Sequence, residues 1–401
     1  MLKHFPPAVW ATAFATFVAF MGIGVVDPIL PLIGHAMGAT PSQVEWLFTS
    51  YIAVMALAML ISGVLGTRLG GKKTMLIGLG LVVVFATLSG LSPSIGFLAV
   101  VRGGWGLGNA FFTSTALSII VGLSTSGMGP AITLYEAALG LGIASGPLLG
   151  GALGSIHWRD PFFGTATLMA IAFLATLRLV KEPPRKEAPR TARDIFRALG
   201  NRAVLTNALI GLTYSYGFFT ILAYSPLTLG HLRAISLGIT YFFWGILVAI
   251  SSVIVVNWLL KRMRPIAVLT WNLPFIVLLF VLAGLMPGHR LLYIIVITGF
   301  FCGIANALFT TLAMEVSPFS RSISSGAYNF LRWAGAALAP LLSGLIGQRW
   351  GMTVPFFVSG GIVLVGCIAL LVWGPMLTRA LEANESGGHQ NATIAGEPRI
   401  D

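Results

Sequence analysis

Runs of about 20 apolar residues recur along the whole chain and constrain its fold more than any other feature. A helix of this length spans the hydrocarbon layer of a bilayer with its backbone hydrogen bonds satisfied internally. Of the 401 residues, 56% are hydrophobic and 9% charged, whereas soluble domains have roughly 25% charged residues. The pattern predicts an all-α polytopic membrane protein with twelve spans, at residues 8–33, 45–66, 73–92, 95–121, 129–153, 161–180, 203–227, 236–259, 265–286, 290–313, 322–347 and 353–376.

The net charge of +12 is explained by the predicted topology. With the amino terminus in the cytoplasm, 18 of the 24 Lys and Arg residues lie on the cytoplasmic side, and Arg102 and Arg332 fall within spans. Four lie on the other side, namely Arg159, Arg233, Arg290 and Arg349. The positive-inside rule therefore places both termini in the cytoplasm, and the charge does not indicate a nucleic-acid partner.

The long polar stretch at residues 181–202 predicts a cytoplasmic linker between two six-helix bundles, residues 1–180 and 203–378. Within it, Thr191 to Leu199 could form a short amphipathic helix. A polar cytoplasmic tail, residues 379–401, is expected to be disordered.

Internal repeats support this division into two bundles. The segment GPLLGG at Gly146 recurs as APLLSG at Ala339, an offset of 193 residues, and Pro161 corresponds to Pro355 at an offset of 194. A near-constant offset indicates a duplicated unit, and in such transporters the substrate site lies between the halves near the bilayer midplane.

No sequence pattern indicates an enzyme, a cofactor or a metal site. Cys302 and Cys367 both fall in apolar spans, which argues against a disulfide framework or a metal cluster and favours packing roles. Gly104 to Gly108 follow no strand and lack the ending of a phosphate-binding loop. A membrane protein of this kind that moves a solute would draw its energy from an ion gradient or from the gradient of the solute itself.

Gly142, Gly146 and Gly150 recur every four residues and would form a stripe without side chains along one helix face. Pro147 removes a backbone donor and bends the helix. An ordinary close-packing helix could show the same spacing. The full string, ending in Gly150 and Gly151, resembles the G-x-x-x-G-P-x-x-G-G signature in the fifth helix of antiporters of the major facilitator superfamily, which implies a role in conformational change.

Asp27 lies within the first span, where a carboxylate is costly and usually faces a cavity, a partner or a proton path. Alternatively, it could be solvated near the outer interface or cap a bend at Pro28. The stretch from Gly22 to Pro31 resembles the G-x-x-x-x-x-P-x-x-P signature of drug:proton antiporters in the same superfamily. The resemblance implies that Asp27 participates in proton coupling.

Arg102 begins a stretch that is similar to the R-x-x-Q-G-x-G-x-A signature of the family's fourth helix, with Trp105 where Gln is usual. A guanidinium group cannot become neutral by losing its proton, so it needs Asp27, Glu136 or backbone carbonyls as partners. The resemblance implies a pair with Asp27, whereas snorkelling to the outer surface is the alternative. Glu136 could be a second protonation site, a counterion for a cationic substrate, or a structural partner of a loop arginine.

The stretch from Gly63 to Lys73 resembles the signature cytoplasmic loop of the superfamily, G-x-L-a-D-R-x-G-R-K/R, through Arg68, Gly70 and Lys72. Thr67 replaces the acidic residue and Gly71 replaces an arginine. In the family the acid helps to latch the outward-facing state, so this chain is expected to lack a strong electrostatic latch. A plain positive-inside loop explains the basic residues equally well.

The seventh and eighth spans are rich in aromatic residues, which suit apolar or cationic organic ligands but also simply pack against lipid. The predicted residues of a substrate cavity are Tyr214, Tyr216, Tyr224, Asn109, Asn306, Asn329 and Arg332.

The resemblance covers essentially the whole chain and implies a twelve-helix drug:proton antiporter of the plasma membrane. Its expected partners are the lipid bilayer, a small organic substrate and protons, and it is expected to act as a monomer that alternates its access by rocking of the two halves. One alternative is an importer or facilitator of a metabolite, which should have a more polar cavity. Another is a non-transporting receptor or accessory protein, which would tolerate the loss of gating motifs.

Overall fold

The computed structural model describes residues 5–125, 128–182, 192–319 and 321–394, which form helices and their connections without a β-strand. Twelve of these helices are long and apolar enough to cross a membrane. They are α1 Pro7–Met37, α2 Pro41–Leu69, α3 Gly71–Gly90, α4 Ile95–Leu123, α5 Met128–Gly154, α6 Asp160–Leu179, α7 Arg202–Thr228, α8 Ala234–Leu260, α9 Pro265–Leu285, α10 His289–Glu315, α11 Arg321–Trp350 and α12 Val354–Ile394. The predicted all-α polytopic fold is confirmed.

Successive helices alternate in direction, so the connections gather at two ends of the bundle. One end carries the α2–α3, α4–α5, α6–α7, α8–α9 and α10–α11 connections, with Lys72, Arg262 and Arg264 among its residues. We refer to it as the basic end and to the other as the opposite end. The positive-inside rule predicts that the basic end is cytoplasmic.

The start of α2 is fixed by turn chemistry at the opposite end. Gly38 ends α1 with φ +60°, a left-handed conformation that suits glycine. Thr40 then caps α2 in a capping box with Gln43, and Pro41 is the first helical residue. The helix begins four residues earlier than the predicted span, which places Glu45 one turn inside it.

Two corresponding helices, α1 and α7, are interrupted near the opposite end. In α1, a 3₁₀ turn at Asp27–Ile29 separates Pro7–Gly24 from Leu30–Met37. In α7, a π-helical segment at Thr220–Tyr224 precedes Pro226. Prolines lack the backbone donor that a continuous helix needs, and such irregular segments commonly mark functional positions in transporters.

The two halves contact each other through α2 with α11 and through α5 with α8. Ser42 Oγ donates a hydrogen bond to Gln348 Oε1 at 2.7 Å, and Thr49 Oγ1 donates to the carbonyl oxygen of Ala337 at 3.3 Å. A Cβ added at Gly151 would lie 2.6 Å from the carbonyl oxygen of Ala234, so backbones meet directly there. These contacts lie between the middle of the bundle and the opposite end, which they hold together.

At the basic end, a short helix at Ala192–Leu199 agrees with the amphipathic helix predicted in the linker. Its Phe196 ring packs edge-on against Phe330 of α11 at 5.8 Å.

The predicted disordered tail differs from the structure, because α12 continues to Ile394. Leu381 is buried, and Asn384 Nδ2 donates to the carbonyl oxygen of Glu315 at 2.8 Å. These contacts with the rest of the bundle extend the helix beyond residue 378, where the sequence predicted its end.

Candidate functional site

Arg102 lies inside the first half in a cage of aromatic rings. Its guanidinium carbon is 4.5 Å from the ring centroid of Tyr51 and 4.7 Å from that of Trp105. Its Nε donates to the carbonyl oxygen of Leu47 at 3.4 Å. The side chain is completely buried, so Arg102 does not snorkel to a surface as the alternative interpretation allowed. Each ring contributes about 0.5–2 kcal/mol toward holding the cation, the upper value applying to a desolvated site.

Asp27 lies on the 3₁₀ turn that interrupts α1 and is also completely buried. Neither of its carboxyl oxygens has a hydrogen-bond partner among the described residues. Arg102 and Glu45 lie within electrostatic range of the carboxyl group. The alternative of a solvated carboxylate at the interface is therefore inconsistent with the structure.

The expected direct pair between Asp27 and Arg102 is not formed, because the terminal nitrogens of Arg102 also lack partners among the described residues. The physical reason is the cage, because the guanidinium group is held by the Leu47 carbonyl and the Tyr51 ring of α2 and by the Trp105 ring of α4. The two charges act on each other at a distance, without a shared hydrogen bond.

Asn109 supports this cage and does not line an open cavity. Its Nδ2 donates to the hydroxyl oxygen of Tyr51 and to the carbonyl oxygen of Ala19 at 3.3 Å. The side chain is 1% exposed and joins α4 to α2 and α1. Its amide therefore orients Tyr51, one of the two rings nearest to Arg102.

Glu45 is a functional candidate that sequence reasoning missed. It lies in α2, is completely buried, and its two carboxyl oxygens have no hydrogen-bond partner among the described residues. The predicted second span began at residue 45, so Glu45 stood at its first position and was not considered as a buried carboxylate. The capping signal at Thr40 and Pro41 would have placed it inside the helix.

The stripe of glycines on α5 packs against the backbone of α1. A Cβ added at Gly142 would meet the carbonyl oxygen of Phe17, one at Gly146 that of Met21, and one at Gly150 that of Val25.

The neighbouring part of α5 faces the other half of the protein. The carbonyl oxygen of Pro147 lies 2.5 Å from a Cβ added at Gly238, and Gly151 meets α8 as described above. The segment from Gly142 to Gly151 thus joins the interrupted helix α1 to α8. Its role in conformational change stays a prediction.

A carboxylate from the start of the linker, that of Glu182, binds to the α2–α3 loop. Gly70 has φ +97°, and the carboxylate of Glu182 accepts hydrogen bonds from the backbone N–H groups of Gly71 at 2.5 Å and Lys72 at 3.0 Å. Lys72 Nζ donates to the carbonyl oxygen of Leu177 at 3.1 Å. Glu182 therefore caps α3, an interaction that the loop signature did not reveal.

Three further residues were predicted to have functional roles, namely Thr67 and Arg68 of this loop and Glu136 of α5. The side chains of Thr67 and Glu136 lie outside the described residues, so both assignments stay predictions. Arg68 is exposed at the basic end.

The three predicted cavity tyrosines are all buried inside the second half. Tyr214 Oη donates to the carbonyl oxygen of Cys302 at 2.7 Å, and Tyr224 Oη donates to that of Met352 at 3.0 Å. Tyr216 is 3% exposed, and Ser343 of α11 is the side chain that interacts with its hydroxyl group. In this conformation the hydroxyl groups of Tyr214 and Tyr224 are therefore used for packing within the bundle.

The other cavity candidates in the second half are more accessible. Asn306 of α10 and both Asn329 and Arg332 of α11 are partly exposed and lie in the basic halves of their helices. The guanidinium carbon of Arg332 is 5.3 Å from the ring centroid of Trp333. No group of three or more His, Cys, Asp or Glu residues in the described ranges could hold a metal ion.

Twelve membrane-crossing helices in two six-helix halves, with ionisable side chains buried near their junction, define the architecture of a membrane transporter. The chain matches the Major Facilitator Superfamily over residues 12–340, and it belongs to this family. It is 44% identical over 369 residues to the multidrug efflux protein YfmO of Bacillus subtilis (strain 168), a match that covers 92% of this chain and 93% of that protein. It is 24% identical over 379 residues to the quinolone resistance protein NorA of Staphylococcus aureus (strain MRSA252), covering 90% and 94%.

The fold is also similar to that of a bacterial homolog of the human lysosomal transporter Spinster in an inward-facing and unoccupied conformation. The TM-score is 0.74 at 14% sequence identity, over 94% of this chain and 97% of that one. Membership of the predicted superfamily is confirmed, as is the prediction of a transporter that is not an enzyme.

Proposed function

We propose that this protein exports small, drug-like organic compounds across the plasma membrane in exchange for protons. Export of such compounds is supported by the relatives, which are named as a multidrug efflux protein and a quinolone resistance protein. The partly exposed side chains of Asn306, Asn329 and Arg332 can supply the few polar contacts that orient such a compound.

The observation that carries proton exchange is the position of Asp27. A buried carboxyl without a hydrogen-bond partner carries a cost of several kcal/mol when ionised, and a proton or a cationic ligand removes this cost. Arg102, which is held 4.5 Å from the Tyr51 ring, keeps a fixed positive charge nearby. Asp27 can therefore alternate between a proton and a cationic substrate.

The proposed cycle is alternating access by rocking of the two halves. Asp27 takes a proton from the outside, together with Glu136 if that residue also titrates, and this proton displaces the substrate from the central cavity. Release of the proton to the cytoplasm resets the carrier. The difference in the affinities of the two facing states for proton and substrate couples the two fluxes.

The remaining features of the proposal follow from the charge distribution and the family. The basic end and both termini face the cytoplasm, the proton gradient is the energy source without a cofactor, and the monomer is the working unit. The functional divisions are residues 1–180, the linker 181–202, residues 203–378 and the tail 379–401.

The test is export of a lipophilic cationic dye from vesicles that carry the purified protein and a pH gradient. Asp27→Asn removes the ionisable group with little change of shape. Glu382→Gln is the matched control, because Glu382 is an exposed carboxylate that pairs with Arg264 at 2.6 Å outside the bundle core.

We expect the native protein and Glu382→Gln to move the dye against its gradient, and Asp27→Asn not to do so. Equal transport by all three would make Asp27 structural and Glu136 the next candidate. No dye movement by the native protein would favour a metabolite carrier or a non-transporting protein.

A further inference from the structure

Glu45 lies at the seam between the halves, which consists of α2 and α11. It is four residues into α2, about 6 Å along the helix axis from the opposite end. A Cβ added at Gly344 of α11 would lie 2.9 Å from Glu45 Cγ and 2.9 Å from Ser42 Cα. The glutamate side chain is thus pressed against the other half, beside the Ser42–Gln348 hydrogen bond that joins the two helices.

Among the described residues, no cation is paired with the carboxyl group of Glu45. The titratable groups that interact with it are Asp27 of α1, Tyr224 of α7 and Tyr241 of α8. From α11 it meets Gly344, which is not titratable, and Arg102 of α4 acts on Asp27. The titratable groups that interact with Glu45 are therefore acids, and His35 of α1 is exposed in the adjoining cleft.

An ionised carboxylate in this position would cost several kcal/mol, since it is buried, lacks hydrogen-bond donors and faces another acid. Both carboxyl oxygens are buried in the closed packing, so hydration of the anion requires the surrounding helices to separate. The packing seen here therefore fits a neutral Glu45.

A cleft of about 320 Å³ lies directly beside this position at the opposite end. It is lined by both halves, with Pro31, His35 and Val44 from the first, and Leu227, Gly230 and Met352 from the second. Val44 precedes Glu45 in the chain, and the carbonyl oxygen of Met352 accepts the hydrogen bond of Tyr224. The cleft lies at the end of the bundle that the charge pattern places outside the cell, one residue along α2 from Glu45.

On the basis of the proposed proton exchange, we propose that Glu45 is a second protonation site, which takes its proton from this cleft and whose neutral form closes the seam between α2 and α11. Closing the seam transfers one proton from water in the cleft to the Glu45 carboxylate, and opening returns it. A single linked proton changes the ratio of open to closed molecules by up to about tenfold per pH unit.

The experiment measures the distance between spin labels at the opposite end in the full-length protein in lipid nanodiscs. One label replaces Leu91 of the first half and the other Met286 of the second, both exposed at helix connections. The buried cysteines, Cys302 and Cys367, are replaced by alanine. No substrate is added, so the readout is independent of transport.

At pH 5 the wild-type protein and Glu45→Gln should give the same short distance, which also shows that the variant is folded. At pH 8.5 the wild-type distribution should shift by at least about tenfold toward the longer distance, whereas Glu45→Gln should stay short. The surface control Glu382→Gln should shift like the wild type, and Asp27→Asn is measured beside it.

A wild-type protein that does not respond to pH, or a Glu45→Gln variant that responds like the wild type, would overturn the assignment. A pH-dependent distance that is abolished by Asp27→Asn but not by Glu45→Gln would also overturn the assignment. Failure of the dye-export experiment with an intact, Glu45-dependent seam would reject the proposed function alone.

Discussion

The substitution Gly150→Ala tests the contact between α5 and the interrupted helix α1. A Cβ at this position would overlap the carbonyl oxygen of Val25 and lie 2.8 Å from its carbonyl carbon. Carbon atoms ordinarily approach to about 3.5–4.0 Å, so the two backbones must separate by at least about 0.7 Å. The obstacle is backbone and not a flexible side chain, so rotation of a side chain cannot relieve the overlap.

The expected energy combines two opposing effects. Overpacking of this kind costs about 1–3 kcal/mol, and replacement of glycine by alanine inside a helix returns about 0.5–1 kcal/mol. We expect the free energy of unfolding to fall by about 1 kcal/mol, and by about 2 kcal/mol if α1 cannot shift. Gly361→Ala in α12 is the matched control, because a Cβ there meets nothing within 4 Å. It should stabilise the protein by about 0.5–1 kcal/mol.

The assay is thermal unfolding in detergent micelles, followed by far-ultraviolet circular dichroism, with both variants measured beside the wild type. The midpoint should fall for Gly150→Ala and rise slightly for Gly361→Ala. Because the shift of α1 also moves the turn that carries Asp27, proton-driven dye export by Gly150→Ala should fall as well. Equal stabilisation by both substitutions would refute the assignment of the stripe as a backbone contact.

Two further predictions concern groups that the structure places at the two ends of the bundle. Arg102→Lys keeps the charge but loses the planar stacking on Tyr51 and Trp105, and we expect a loss of about 1–2 kcal/mol in stability and at least about tenfold in the rate of proton-driven dye export. The control is Arg349→Lys, because the guanidinium group of Arg349 stacks on the exposed ring of Trp350. This control should change neither the stability nor the export rate. An unchanged export rate in Arg102→Lys would contradict the caging role. Glu182→Gln removes the negative charge at the start of α3 and should lower stability by about 0.3–1 kcal/mol at low salt. This difference should shrink in about 1 M NaCl, where the Debye length is about 3 Å, and a difference independent of salt would argue against an electrostatic cap.

The partners of Arg102 could not be predicted from the sequence. Its position in an apolar span showed that it must be buried or snorkel, but the partner was taken from a resemblance and the direct pair with Asp27 is not formed. Stacking on Tyr51 depends on how α2 and α4 cross, since the two residues are 51 positions apart in the chain. Such a contact has no signal in the spacing of either helix.

Glu45 and the cavity tyrosines also depended on contacts that the sequence does not reveal. Glu45 was not selected because hydropathy locates the end of a span only to within a few residues, whereas the capping box at Thr40 sets the helix start. Tyr214 and Tyr224 were selected for their chemistry, yet their hydroxyl groups reach the carbonyl oxygens of Cys302 and Met352. Burial of a tyrosine is evident from its span, but the acceptor that satisfies its hydroxyl group depends on packing between helices.

By itself the sequence determined that the chain crosses a membrane twelve times as helices, because a backbone in hydrocarbon must satisfy its own hydrogen bonds and only length and hydropathy enter that requirement. It also determined the glycine stripe, since spacing by four defines one helix face. The tertiary structure alone decided which carboxyl groups are left without partners, which rings hold Arg102, and which residues of α2 and α11 form the seam. These features depend on distances between helices that are far apart in the chain, and such distances are fixed only when all the helices pack together.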